Sequence, residues 1–146
     1  MLLNFLAAVL FTFGMSIGII EKREQLYCGV QNIYHESRGE SNLGQRAVAN
    51  VVRNRVASEH YPNTICEVVW QPKQFSWTAD EISDEPTNRK ALVKAVWLHI
   101  ISGMRDNTKG ATHYYVHNIV DPFWAKEMVV TTVIGNHTFG YIPGGK

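Results

Sequence analysis

"IYHESRGESNLGQRAVANVVRNRV", residues 33–56, joins the end of one apolar helix to the start of another. Upstream, Leu26, Val30, Ile33 and Tyr34 follow the i, i+4, i+7, i+8 spacing of a single helix face. The first helix is expected to stop at Gly39, a residue suited to a left-handed C-terminal position. Asn42 with Gln45 three residues on reads as a capping box, and Leu43, Ala47, Val48, Val51, Val52 and Val56 form the buried stripe of a second helix. His35, Glu36, Arg38 and Glu40 crowd the junction between the two. A carboxylate in the last turn of a helix meets the negative end of the helix dipole, which favours its protonated form. Glu36 therefore reads either as a solvated helix end or as a general acid, and these residues alone leave both open. Arg38 and Glu40 read as a local ion pair ordering the turn.

The rest of the chain extends this pattern. Thr64 and Glu67 repeat the capping signature for a short third helix. Thr87 opens a fourth, with Ala91, Leu92, Ala95, Val96 and His99 on one side and Gly103 closing it. Asp121-Pro122 reads as an N-cap followed by proline at the first helical position. "VVTTVIGNHTFGY", residues 129–141, has β-branched residues around Gly135-Asn136 and reads as a hairpin. The fold class is α+β, mainly helical, with a small strand region and no internal repeat.

At 146 residues the chain accommodates one core. A net charge of +1 gives no electrostatic footprint for nucleic acid. Residues 1–20 carry no charge, and as a helix would reach roughly 30 Å, enough to cross a bilayer. They read as a weakly held signal-anchor or, alternatively, a buried helix; no basic residue precedes them as in an ordinary signal peptide. Residues 21–26 read as a linker and 27–146 as the folded domain. Cys28 and Cys66 would pair in an exported domain and stay thiols in the cytosol.

Metal and serine chemistry find little support. His35-Glu36 opens an H-E-x-x-H pattern, but Gly39 stands where the second histidine belongs. His113, His117 and His137 match no standard ligand spacing, and no G-x-S-x-G occurs. Neither metal nor cofactor is expected.

Residues 34–56, "YPNTICEVVWQPKQFSWT" at 61–78 and "GATHYYVHNIVDPFWAKEMVVTTVIGNHTFGY" at 110–141 together resemble the SleB/CwlJ family of cell wall hydrolases. The shared elements are Glu-x-Arg-Gly-Glu, Gly-Gln with the valine-rich Asn-Arg-Val helix, Pro-Asn-Thr, Gln-Phe-Ser, Ala-Thr-His-Tyr and Gly-x-His-x-Phe. The resemblance implies a lysozyme-like fold and cleavage of peptidoglycan between N-acetylmuramic acid and N-acetylglucosamine by lytic transglycosylation. It places Glu36 as the catalytic residue. Ser37 completes a Glu-Ser pair similar to that of other lytic transglycosylases. Gln74, Phe75 and Ser76 would flank the scissile bond, His113 and Tyr114 the opposite side, with Trp77 and Tyr115 as stacking platforms. Glu40, the nearest second carboxylate, is expected to be structural. The expected protein is a monomer, exported or held at the inner membrane through residues 1–20, similar to a phage or prophage endolysin. A hydrolytic muramidase, a zinc amidase or peptidase, and a non-catalytic wall-binding protein are the rival readings.

Overall fold

The computed structural model describes residues 22–79 and 87–145. Helix α1 occupies 22–37, α2 is Asn42–Ala57, α3 is Ile65–Val69 and α4 is Arg89–Ser102. A three-stranded antiparallel sheet follows, built from β1 (His113–Val116), β2 (Val129–Ile134) and β3 (His137–Tyr141) in the order β1-β3-β2. Short 3₁₀ turns at Ser76–Thr78 and Phe123–Glu127 complete the chain. The mainly helical α+β expectation holds.

Helix α2 is the axis of the core because its apolar residues recur on more than one side. Ala49 packs with Val30, Ile33 and Ala95 of α1 and α4. Ala47 and Val51 pack with Phe139 of β3 and with Ala111, while Val52 packs with Val68, Val69 and Phe75. The hairpin turns at Gly135, whose φ of +57° is a conformation that glycine adopts without a side-chain clash.

Several boundaries differ from expectation for local reasons. Residues 22–26, assigned to a linker, are already helical, because Leu26 has the first apolar cluster to pack against. Helix α1 stops at residue 37, where the Glu40 amide donates to the Ser37 carbonyl at 2.8 Å; Gly39 lies in this turn without a positive φ. The α2 cap is Ser41, whose hydroxyl accepts from the Gly44 amide at 3.2 Å. Gln45 is buried and donates its amide to the Glu40 carbonyl at 2.9 Å, bracing the turn instead of closing a capping box. Leu43 is exposed, outside the stripe. Asn88, not Thr87, caps α4, and Pro122 is itself the residue before the second 3₁₀ turn, with no side-chain cap. The Thr64–Glu67 cap is as expected. Arg38 lies over the Tyr34 ring, its guanidinium 4.7 Å from the ring centre, and Glu40 instead faces His137 at 3.8 Å, so the expected Arg38–Glu40 pair does not form.

Cys28 and Cys66 are disulfide-bonded, tying α1 to α3 across 38 residues. Among the described residues no helix is long and apolar enough to cross a membrane, and the expected anchor, residues 1–20, lies outside them.

Candidate active site

The C-terminal ends of α1 and α2 meet β1 at a cleft of about 830 Å³. Glu36 comes from the last turn of α1, Arg55 from the last turn of α2, and His113 and Tyr114 from β1. The segment Gln74–Ser76 forms another wall, held by packing of the buried Phe75 against Val52, Val68 and Val69. Phe123 and Trp124 of the second 3₁₀ turn stand at the rim.

Burial and the polar groups around Glu36 oppose one another in setting its pKa. Burial raises the Glu36 pKa above the ordinary carboxylate value, outweighing the hydrogen bond from Tyr114 and the charge of Arg55. The Tyr114 hydroxyl donates to Glu36 Oε2, and not to Oε1, at 2.8 Å. Burial and the contact with Glu36 push the Tyr114 hydroxyl well above its usual value, so it remains a donor. Burial, followed by the Arg55 charge, lowers His113 to about 4, and the imidazole is neutral at neutral pH. Arg55 is 6% exposed; its Nε donates to the Thr112 carbonyl at 2.8 Å, and the Tyr61 and Phe75 rings lie 5.3 and 5.4 Å away. The helix-end origin expected for the raised Glu36 pKa gives way to burial as the larger cause.

Six of the residues expected at the site line this cleft: Glu36, Gln74, Phe75, Ser76, His113 and Tyr114. Three do not. Ser37 is buried and donates its hydroxyl to the Ile33 carbonyl at 2.9 Å, closing its own helix. Trp77 stacks on His35 at 4.5 Å and donates its indole N–H to Asn32, so it packs on α1. Tyr115 meets Trp124 edge-on at 5.8 Å, outside the lining. Glu40 lies beside His137, outside the lining too.

Sequence reasoning missed Arg55, Gln71, Trp124 and Glu127. Arg55 left a readable sign: it falls three and four residues after Val52 and Val51, a cation inside an apolar stripe. Trp124 and Glu127 lie in an aperiodic segment with no such sign. Among the described residues, no group of three or more His, Cys, Asp or Glu side chains is placed to hold a metal ion.

Fold and sequence together define the class: residues 39–140 match the model of the Cell Wall Hydrolase family, and the chain belongs to that family. The catalytic domain of the Bacillus cereus SleB protein superposes with a TM-score of 0.70 at 31% identity, covering 81% of this chain and 90% of that domain. The catalytic domain of the germination-specific lytic transglycosylase SleB from Bacillus anthracis gives a TM-score of 0.69 at 31% identity, covering 80% and 93%. The architecture is thus the lysozyme-like fold of SleB-type hydrolases. In sequence, the chain is 36% identical over 110 residues to the spore cortex-lytic enzyme of Bacillus cereus, which takes in 73% of this chain and 40% of that enzyme. The corresponding Bacillus subtilis enzyme is 33% identical over 112 residues, 75% of this chain and 35% of its own length. The chain therefore spans about two-fifths or less of the length of these relatives.

Proposed function

We propose that this protein degrades peptidoglycan by lytic transglycosylation, cutting between N-acetylmuramic acid and N-acetylglucosamine with Glu36 as the single acid and base. The observation that carries this reading is a carboxyl group whose pKa burial raises, positioned by Tyr114 and lining an open cleft. Glu36 gives its proton to the glycosidic oxygen as the C1–O bond breaks. The muramyl C6 hydroxyl then attacks C1, and its proton returns to the Glu36 carboxylate. The product is a 1,6-anhydromuramic end, no water is consumed, and a second carboxylate is not required. Gln74 and Ser76 supply an amide and a hydroxyl to the sugar, and Trp124 offers an aromatic face.

One observation favours a second reading. Glu127 also lines the cleft, and a retaining or inverting hydrolase needs a second carboxyl about 5 Å or roughly 6.5–9.5 Å from the first. Mass spectrometry of the muropeptides released from isolated sacculi separates the routes. Transglycosylation leaves each cut end one water lighter than hydrolysis does. Ordinary reducing ends, lost in Glu127→Gln, would establish the hydrolytic route instead.

The disulfide supports action outside the cytosol, since such bonds persist in oxidising compartments. We extend the same reading to an exported monomer held at the inner membrane by residues 1–20. Alkaline extraction of membranes followed by size-exclusion chromatography tests both parts.

A further inference from the structure

The cleft holds two polar atoms that the fold leaves without a partner. Arg55 Nη1 and Gln71 Oε1 are both buried, both belong to residues lining the cleft, and neither has a hydrogen-bond partner among the described residues. A buried polar group left unpaired is costly, and two on residues that line one cleft are consistent with a ligand that satisfies them. The arginine cannot give up its proton to escape this cost. Its Nε is already committed to the Thr112 carbonyl, and aromatic rings lie close to the guanidinium. Arg55 is therefore held in place with its Nη1 unspent.

The two atoms differ in chemistry. Nη1 can only donate and Oε1 can only accept. A secondary amide, with one carbonyl oxygen and one N–H, answers both. A carboxylate would suit Arg55 but would set its negative oxygens against Gln71 Oε1. We propose that Arg55 and Gln71 form a recognition site for the 2-acetamido group of an N-acetylhexosamine, Arg55 donating to the acetyl oxygen and Gln71 accepting from the amide N–H. The identity of the ligand rests on the glycan reading above; the unpaired donor and acceptor do not. Lys73, next to this wall, has a φ of +65°, a conformation uncommon for a residue with a side chain, and it lines the same cleft.

Calorimetric titration at neutral pH with N-acetylchitopentaose and cellopentaose tests the site, because these β-1,4 oligomers differ only in bearing an acetamido or a hydroxyl group at C2. The full chain is expected to bind the acetamido oligomer at least tenfold more tightly. Gln71→Leu should lower that preference roughly five- to tenfold, the worth of about one buried hydrogen bond, while leaving cellopentaose affinity unchanged, and Arg55→Lys should lower the preference by a similar factor. Gln71→Leu is the safer variant for folding, since Arg55 also supports Thr112. Loss of affinity for both oligomers alike would mark a merely structural role and overturn the proposal. Equal binding of the two oligomers by the parent chain, or binding of neither, would overturn it as well. A protein that prefers the acetamido oligomer yet leaves sacculi uncut would sink the transglycosylase reading while sustaining this one.

Discussion

Two carboxylates that interact with neighbouring residues of α2 have opposite fates. Glu36 receives one protein hydrogen bond, from Tyr114, and lies within the field of Arg55; burial dominates and its pKa rises. Asp106 lies beside Asn54, the residue before Arg55. Its Oδ1 accepts from the Thr108 amide at 2.7 Å and the Thr108 hydroxyl at 2.6 Å, and its Oδ2 from the Gly110 amide at 2.7 Å and Asn54 at 3.0 Å. Burial opposes the Asp106 charge too, but these donors together outweigh it and the pKa falls. A carboxylate supplied with donors on both oxygens is a fixed anion that ties down a loop, here the one leading into β1. A carboxyl buried with one donor holds its proton more tightly than an exposed one. Position in a helix or a loop matters less than the number of donors the fold aims at each oxygen.

The largest test of this contrast is Glu36→Gln. The loss of activity on sacculi should reach about 10⁴-fold or more, the top of the range for general acid–base assistance, because in the proposed reaction one group serves both halves. The stability should move the other way. The folded pKa is raised, so the folded state loses stability as pH rises from the unfolded carboxylate value through the folded one; glutamine cannot ionise and escapes that loss. Thermal melts at neutral pH should show the variant as stable as the parent or more so, with the difference vanishing below about pH 4. Retained activity would mean that Glu36 is a helix end and nothing more.

Next in size is the disulfide, which ties α1, the helix of Glu36, to α3. Reduction should cost roughly 2–4 kcal/mol, from the unfolded-state loop that the bond between Cys28 and Cys66 closes. Denaturant titration with and without reductant reads this directly, and the reduced protein, where folded, should keep its pH–activity profile. A changed profile would show that the tie between α1 and α3 shapes the cleft.

Asp106→Asn comes third, at about 1–2 kcal/mol, since an amide nitrogen would face donors where an oxygen accepted them. The folded pKa of Asp106 is depressed, so its contribution is present above the unfolded carboxylate pKa and fades as pH falls through the folded one. The gap between parent and variant should therefore close in strong acid. Activity of the folded fraction should change little, and a shift in its pH profile would break the separation between the two carboxylates.

The smallest effect belongs to Tyr114→Phe. Its hydroxyl lowers the Glu36 pKa, so removal should move the alkaline limb of the kcat/KM profile to higher pH. The accompanying loss at neutral pH should be about tenfold, the worth of one hydrogen bond that orients the acid. An unmoved limb would mean that Tyr114 does not touch the ionisation that matters.

Much of this molecule was legible along the chain, and the parts that were not have common causes. Helix α3 and its Thr64 cap, the hairpin at Gly135 and the α2 valine stripe are local patterns, written in residues a few positions apart. Cap positions slipped by one residue at Ser41 and Asn88 because several neighbouring side chains could each accept the same amide. Ser37, Trp77 and Tyr115 sit beside true cleft residues in sequence, and adjacency says nothing about which way a side chain turns once Ile33, Asn32, His35 and Trp124 compete for it. Periodicity, caps and the ordered motifs determined the α+β class, the family resemblance and Glu36 as the residue to test. Only the tertiary structure decided that Glu36 is raised chiefly by burial, that Tyr114, 78 residues away, holds one of its oxygens, and that Arg55, Gln71 and Glu127 share its cleft. The reason is physical: a proton's affinity depends on local solvent exclusion and on the donors that reach each oxygen, and both are set by segments that meet only when the chain has folded.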